Sequence, residues 1–443
     1  RGALAARRRA GAAVRSAWGN LMPDVSTNFG ASFREGRPQL INGVPLGASG
    51  DQIQSSYGFS AQLSVNPATL LQPRAQRLSA DATEADIRAS AQTLHTAVTQ
   101  QYLAVLQQQA RAALQDTLVA TAAAQLELAR VRASVGSATP LDVQQAEVEL
   151  GRQRVAGIQA RNQAEVEKLR LFQVMGVPMP QGVLLTTEFR LEAPTLSLEQ
   201  LLQMAREGNP SLAAAEARTR VTDIGVKQAR GEYLPSLSVQ TGIGGYTSQF
   251  TDDTFLIENE LAGAIGQCNS TNRIREIVGM PPANPNCNAI TLSPGDIADI
   301  RANNRAFPFD FETNPWQISA GVSLPIFNGF AREQRVQEAQ ANRNEAQYRA
   351  RATRLQLEAD VTAAYLTLQS QLQAVALQEQ NARTARQALE LAQERYRVGA
   401  STFVEVSQAR DTYAQAETDR INAIYEFQRA FASLEAAVGR PLR

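Results

Sequence analysis

The sequence predicts a mainly α-helical protein with a smaller membrane β part, in which one unit of helix, strand, strand and helical hairpin is written twice. Three observations carry this fold class. Residues 94–178 match residues 357–441 without a gap at an offset of 263. Four short segments alternate strictly between apolar and small polar residues. Two long runs, over 72–134 and 330–397, keep an unbroken helical pattern with no proline after Pro73.

The repeat comes first because it fixes the element order. The offset carries Val98 onto Val361, Tyr102 onto Tyr365, Gly136 onto Gly399 and "MGVP" (175–178) onto "VGRP" (438–441). Upstream, "NLMPDVSTNFG" (20–30) pairs with "EYLPSLSVQTG" (232–242), and "FSAQLSV" (59–65) with "ISAGVSL" (318–324). The first repeat then covers 1–178, with strands at about 24–33 and 56–66, a long helix 72–134, a tip 135–140 and a return helix 141–175. A linker, 179–196, precedes the second repeat, 197–443. That repeat holds helices over 197–231, strands at about 236–246 and 316–324, an insert 249–315, a long helix 330–397, a tip 398–403 and a return helix 404–438. Arg1 falls opposite Ala213 in this register, while the second repeat has a helix start upstream of that point, "SLEQLLQMAREGNPSLAAAEAR". The counterpart in the first repeat, and an export signal, are therefore expected to precede Arg1.

In "WQISAGVSL", Trp316, Ile318, Ala320, Val322 and Leu324 share one face, with Gln317, Ser319, Gly321 and Ser323 on the other. "YGFSAQLSV", "DVSTNFGA" and "SLSVQTGIG" behave alike. Period-two alternation means one apolar and one polar side. An ordinary sheet packed on a soluble core reads this way, and so does a membrane barrel with a wet lumen. Segments near the ~9–11 residues of a membrane strand favour the barrel. Four strands cannot close one, since single-chain membrane barrels need about eight or more. An open edge in lipid leaves unpaired backbone groups at several kcal/mol each. Several copies must then share one barrel.

The helical runs carry Ala, Leu and Val every three or four positions with Gln, Arg and Glu between them, as in coiled coils with thin cores. About 60 residues of helix span roughly 90 Å. Gly136 and Gly399 permit the left-handed backbone that ends a helix, Thr139 and Thr402 can cap the next, and Pro140 suits its first turn. The two breaks are thus hairpin turns.

Bulk composition excludes several functions. The formal net charge is zero, which argues against a nucleic-acid binder. The five arginines among the first fifteen residues read as the polar side of a helix. No stretch approaches the ~18 apolar residues of a membrane helix. There is no phosphate loop, nucleophile elbow or metal-ligand cluster, so no catalytic, cofactor or metal site is expected. His95, the one histidine, maps onto Glu358 on a polar helix face. Cys268 and Cys287 are the only cysteines; a disulfide, part of a metal site and two free thiols all suit such a pair.

In combination these features resemble the TolC-type outer-membrane channel family of Gram-negative efflux pumps and type I secretion systems. The resemblance covers essentially the whole chain. Its most specific pieces are "SLEQLLQMAREGNPSLAAAEARTRVTDIGVKQARGEYLPSLSV" (197–239), "VSLPIFNGFAR" (322–332), and the tips "VGSATPLDV" and "VGASTFVEV". It implies a homotrimer in the outer membrane with a large periplasmic part. A twelve-stranded β-barrel crosses the lipid and continues into a long periplasmic α-helical barrel. The implied protein is a passive exit duct, not an enzyme, that meets a periplasmic adaptor (membrane fusion) protein linked to an inner-membrane pump.

Carried over residue by residue, the resemblance makes the tips docking residues: Val135, Gly136, Ser137 and Thr139 in the first, Val398, Gly399, Ala400, Ser401 and Thr402 in the second. It implies a gate in which the Tyr396 hydroxyl bonds Asp142 across adjacent hairpins and three Glu405 side chains form a cation-favouring ring. The chain departs from the family at Gln408, where a second acidic ring would fall, and at Ser401, where an arginine would join the lock. Both changes imply a less cation-selective, more loosely latched mouth. The insert 249–315 would be extracellular, and a Cys268–Cys287 disulfide would close a loop worth about 3 kcal/mol. A soluble or surface-attached coiled-coil scaffold accounts for the helices, but does not predict the four alternating strands.

Overall fold

A computed structural model of the chain describes residues 2–36, 40–41, 44–45, 50–187 and 196–442. Residues 188–195 of the expected linker and Arg1, with its register opposite Ala213, lie outside them. In chain order the elements are α1 (Gly2–Gly19), β1 (Asp24–Arg34), β2 (Leu40–Ile41), β3 (Val44–Pro45), β4 (Gln52–Val65), α2 (Pro67–Ser134), α3 (Pro140–Met175), α4 (Leu198–Gly208) and α5 (Pro210–Gly231). There follow β5 (Ser236–Phe250), α6 (Thr254–Ile277), a 3-10 turn (Cys287–Ala289), α7 (Pro294–Asn303), β6 (Glu312–Ser323), α8 (Ala331–Arg397) and α9 (Phe403–Val438). They fall into two units. The helical unit comprises Arg1–Ala12, Arg74–Val226 and Gln337–Arg443, and the sheet unit Ala13–Pro73 and Lys227–Val336.

In the sheet unit, β1, β4, β5 and β6 form an antiparallel sheet in that order, and β2 pairs with β3 in a separate hairpin. The register keeps like with like. Val25, Ala61, Thr241 and Ile318 stand in one cross-strand row, and Val65, Leu237 and Val322 in another. On the opposite face Ser26, Ser60, Gly242 and Gln317 line up, with the Ser26 and Ser60 hydroxyls 2.8 Å apart. Val25, Phe29, Trp316, Ile318 and Val322 are each more than half exposed. Every residue of the edge strands β1 and β6 is exposed.

All four strands differ in extent from the expected segments; β4 starts at Gln52, β5 runs to Phe250 and β6 starts at Glu312. Beyond the clean alternation, β6 carries a register shift opposite Gly242 and Gly244. Pro315, with no N–H to donate, sits in that bulge. The bulge puts Thr313 and Ile318 on one face despite their opposite parity, which hid the upper end of the strand. Phe311, Tyr57 and Phe29 cluster there, with ring centroids of Phe311 and Tyr57 4.7 Å apart.

The insert has secondary structure of its own. Between β5 and β6 it contains α6, the 3-10 turn and α7. Cys268 and Cys287 are joined in a disulfide, with Cα atoms 5.7 Å apart. The Asn272 side chain ties the same turn, donating to Asn284 O at 2.6 Å and accepting from Ala283 N at 2.9 Å.

In the helical unit, α2 runs antiparallel to α3 and α8 to α9. From Arg74 to Ser134, α2 extends for about 90 Å at ~1.5 Å per residue. Its first turn begins five residues earlier than expected. Asn66 Oδ1 accepts from Thr69 N and Asn66 N donates to Thr69 Oγ1, with Pro67 in the first helical position. The helical stretch 197–231 divides at Asn209. Its Oδ1 accepts from Ser211 N to start α5, and its Nδ2 donates to Ala437 O in α9. The main core joins Leu201 and Ala205 of α4 and Leu212 of α5 to Val361 and Leu368 of α8 and Phe427, Leu434 and Val438 of α9. Among the described residues no helix is long and apolar enough to cross a membrane.

Candidate functional site at the hairpin tips

Each tip is a helix stop followed by a helix start. Ser137 N donates to Arg132 O and Gly136 N to Ala133 O; Ala400 N donates to Arg395 O and Gly399 N to Tyr396 O. This pair of bonds closes a helix end around a left-handed residue. Gly136 and Gly399 fill that place at φ +74° and +84°. In both tips the arginine that starts the turn also reaches its end. Arg132 Nη2 donates to Ser137 O at 2.9 Å, and Arg395 Nη2 to Ala400 O at 3.4 Å. Positive charge at a helix C-terminus is favourable in itself.

The restarts differ. Thr139 forms a full capping box: Asp142 N donates to Thr139 Oγ1, and Asp142 Oδ2 accepts from both Thr139 N at 2.8 Å and Thr139 Oγ1 at 2.9 Å. Thr402 Oγ1 accepts only from Glu405 N, at 3.3 Å. Thr139→Ala should therefore cost about 1 kcal/mol, felt as faster amide hydrogen exchange over 141–143, and Thr402→Ala less.

The expected Tyr396–Asp142 hydrogen bond is not formed within this chain. Asp142 is engaged as a cap, and the buried Tyr396 hydroxyl has no partner among the described residues. The ring instead lies in a small core with Ala129, Ala146, Leu150, Phe403 and Val406. The Arg132 guanidinium stacks 4.4 Å from its centroid, and Arg132 Nη1 donates to the Tyr396 carbonyl. Tyr396 thus joins the two hairpins through Arg132. Burial pushes its hydroxyl above the ordinary tyrosine value; Arg132 opposes the rise and Asp142 adds to it.

Glu405 and Gln408 are exposed on the first turns of α9. Gln408 joins Leu141, Val148 and Val404 in lining a groove of about 450 Å³ between α3 and α9. Val135 and Val398 project at the turns, each 73% exposed.

Sequence reasoning missed Arg410. It is 1% exposed and its Nη2 lies 3.0 Å from Glu149 Oε1, itself 8% exposed. Glu149 also accepts from Arg152 and Gln153, and Gln153 accepts from Gln115 of α2. Helices α3 and α9 therefore meet on one buried carboxylate, and α2 joins them through Gln153. A signal was present: Phe403, Val406 and Arg410 fall at i, i+3 and i+7, so the arginine sits on the apolar stripe.

Twofold-repeated hairpins and a four-stranded sheet with an exposed apolar face are the parts of a TolC-like outer-membrane channel. The fold matches the outer membrane protein VceC of Vibrio cholerae (TM-score 0.69, 17% identity, 100% of this chain and 92% of that one). It also matches the outer-membrane channel OprN (TM-score 0.72, 17% identity, 100% and 87%). The chain belongs to the outer membrane efflux protein family, whose model matches residues 1–177 and 295–440. It is 25% identical over 430 residues to the pyoverdine export outer membrane protein OpmQ of Pseudomonas putida, across 95% of this chain and 78% of that protein. Against Escherichia coli TolC it is 23% identical over 319 residues, 71% of this chain and 55% of TolC. It is accordingly a non-enzymatic outer-membrane exit channel with a periplasmic part.

Proposed function

We propose that the chain is the passive outer-membrane duct of a tripartite efflux pump or type I secretion system. Three copies close one twelve-stranded barrel, and the tips around Gly136 and Gly399 dock a periplasmic adaptor linked to an inner-membrane pump. The observation that carries this reading is the four-stranded sheet whose two edge strands are exposed on both faces. In lipid those edges need partners, and copies of the same sheet supply them. A soluble or surface-attached scaffold gives no reason for an apolar sheet face with Trp316, Ile318 and Val322 in the open.

At the periplasmic mouth, Glu405 of each copy contributes to an acidic ring, and Gln408 leaves the next ring neutral. Tyr396 and Asp142 act within each copy, one binding the hairpins through Arg132 and the other fixing the start of α3. The test is conductance of the detergent-purified channel in planar bilayers. Glu405→Ala is expected to lower the preference for cations over anions without abolishing the pore, and Gln408→Glu to raise it. Unchanged selectivity in both variants would remove Glu405 from the gate.

A further inference from the structure

The family-specific segment "VSLPIFNGFAR" has no part in the tips. It leaves β6 and enters α8 with its largest side chains in the open. Ile326 is 90% exposed, Phe327 71% and Phe330 68%. Yet the turn is firmly built. Arg332, 6% exposed, donates from Nη2 to Ile326 O at 3.0 Å and stacks 4.8 Å from the Tyr233 ring centroid. Arg332 N donates to Asn328 Oδ1 at 3.5 Å, and Gln334 N to Phe330 O at 3.0 Å. Gly329 and Phe330 take φ +67° and +66°, and Phe330 is the one non-glycine residue with positive φ among the described residues. An aromatic side chain in that region is strained. Its ring meets that of Phe327 edge-on, with centroids 5.4 Å apart.

Position indicates what the rings meet. Trp316, Ile318, Ala320 and Val322 form the apolar row of β6 and Leu324 follows at its end, about 26 Å in all at ~3.3 Å per residue. At the ~35–45° tilt of membrane strands this covers about 20 Å of depth, most of the ~25 Å apolar band of an outer-membrane barrel, which aromatic girdles flank. Ile326 is the next residue of that parity, just past the end of the strand. The register puts the end of β6 beside the start of β5 and at the same end of the sheet as the start of β1, on the far edge; Leu234 and Met22, just before those two strands, are also exposed. Charge begins at once beyond the rings, with Arg332, Glu333 and Arg335, the last paired to Glu232 at 2.6 Å.

We propose that residues 324–330 form a braced membrane foot. It holds Ile326, Phe327 and Phe330 in the headgroup–acyl boundary of the inner leaflet, against glycerophospholipid. The proposal rests on the duct reading above, which makes the helical end of the sheet periplasmic.

The test uses the full chain in phosphatidylethanolamine–phosphatidylglycerol vesicles. Trp18→Phe and Trp316→Phe remove the native tryptophans, and Phe327→Trp or Ile326→Trp supplies a single probe. The probe is expected to be quenched by lipids brominated near the headgroup more than by lipids brominated at the chain end, and weakly by aqueous iodide. Arg332→Ala is expected to erase that depth preference by freeing the turn. Strong iodide quenching without bromolipid quenching would overturn the foot, as would protection from both, which would seat the rings against a neighbouring chain. Particle mass and conductance of the same variants separate the two readings. A conducting trimer whose probe is not at the lipid boundary retains the duct and loses the foot.

Discussion

Arg410→Ala is expected to destabilise the helical unit by about 3 kcal/mol, within the ~3–5 kcal/mol typical of breaking a buried ion pair. Glu149 would remain buried, with only Arg152, 69% exposed, to balance it. The value falls at the low end because Gln153 still donates to the carboxylate at 2.7 Å. The pair is costly even when intact, since Nε and Nη1 of Arg410 are buried without partners among the described residues. Replacing both charges, as Arg410→Met with Glu149→Gln, should therefore recover most of the loss. Urea unfolding followed by circular dichroism in detergent gives the double-mutant cycle. A single-variant cost below about 1 kcal/mol, the range of surface pairs, would show that Arg410 does not hold the hairpins together.

The second large effect contrasts two glycines that the repeat makes equivalent. Gly176 and Gly439 end α3 and α9 at φ +68° and +85°. A side chain at Gly176 meets nothing within 4 Å, so Gly176→Ala should cost only the left-handed strain, ~1–2 kcal/mol. At Gly439 a Cβ would lie 2.8 Å from Asn209 Cα and 2.9 Å from Pro210 Cδ. Those atoms are the junction of α4 and α5, held to α9 by the Asn209–Ala437 hydrogen bond. Gly439→Ala should add overpacking to strain, about 2–5 kcal/mol in all. Equal unfolding midpoints for the two variants would contradict this packing.

What the sequence made legible follows from periodicity. Row identity on β1, β4, β5 and β6 is set by period two, and a single missed residue would have turned an apolar face inward. The long helices follow from Ala and Leu spacing, and their ends from Gly136, Gly399, Thr139 and Thr402. The start of α2 was missed because Pro73 looked like a boundary, although Asn66-Pro67 with Thr69 is a capping signal. The role of Asp142 was also readable, since Thr139 followed three residues later by an acid is a capping box. Helix α6 was harder to see. None of its residues is buried, so no apolar stripe marks it against its polar neighbours. The Arg132–Tyr396 link was out of reach in principle. Arg132 and Arg395 are repeat counterparts with the same local bond, and only the packing of the hairpins decides which of them crosses to the other.

The central claim, that one chain supplies a third of a barrel, is tested most directly by the mass of the detergent-solubilised particle corrected for bound detergent. The account predicts three times the chain mass. A monomer, above all one that stays in solution without detergent, would contradict it and return the chain to the scaffold reading.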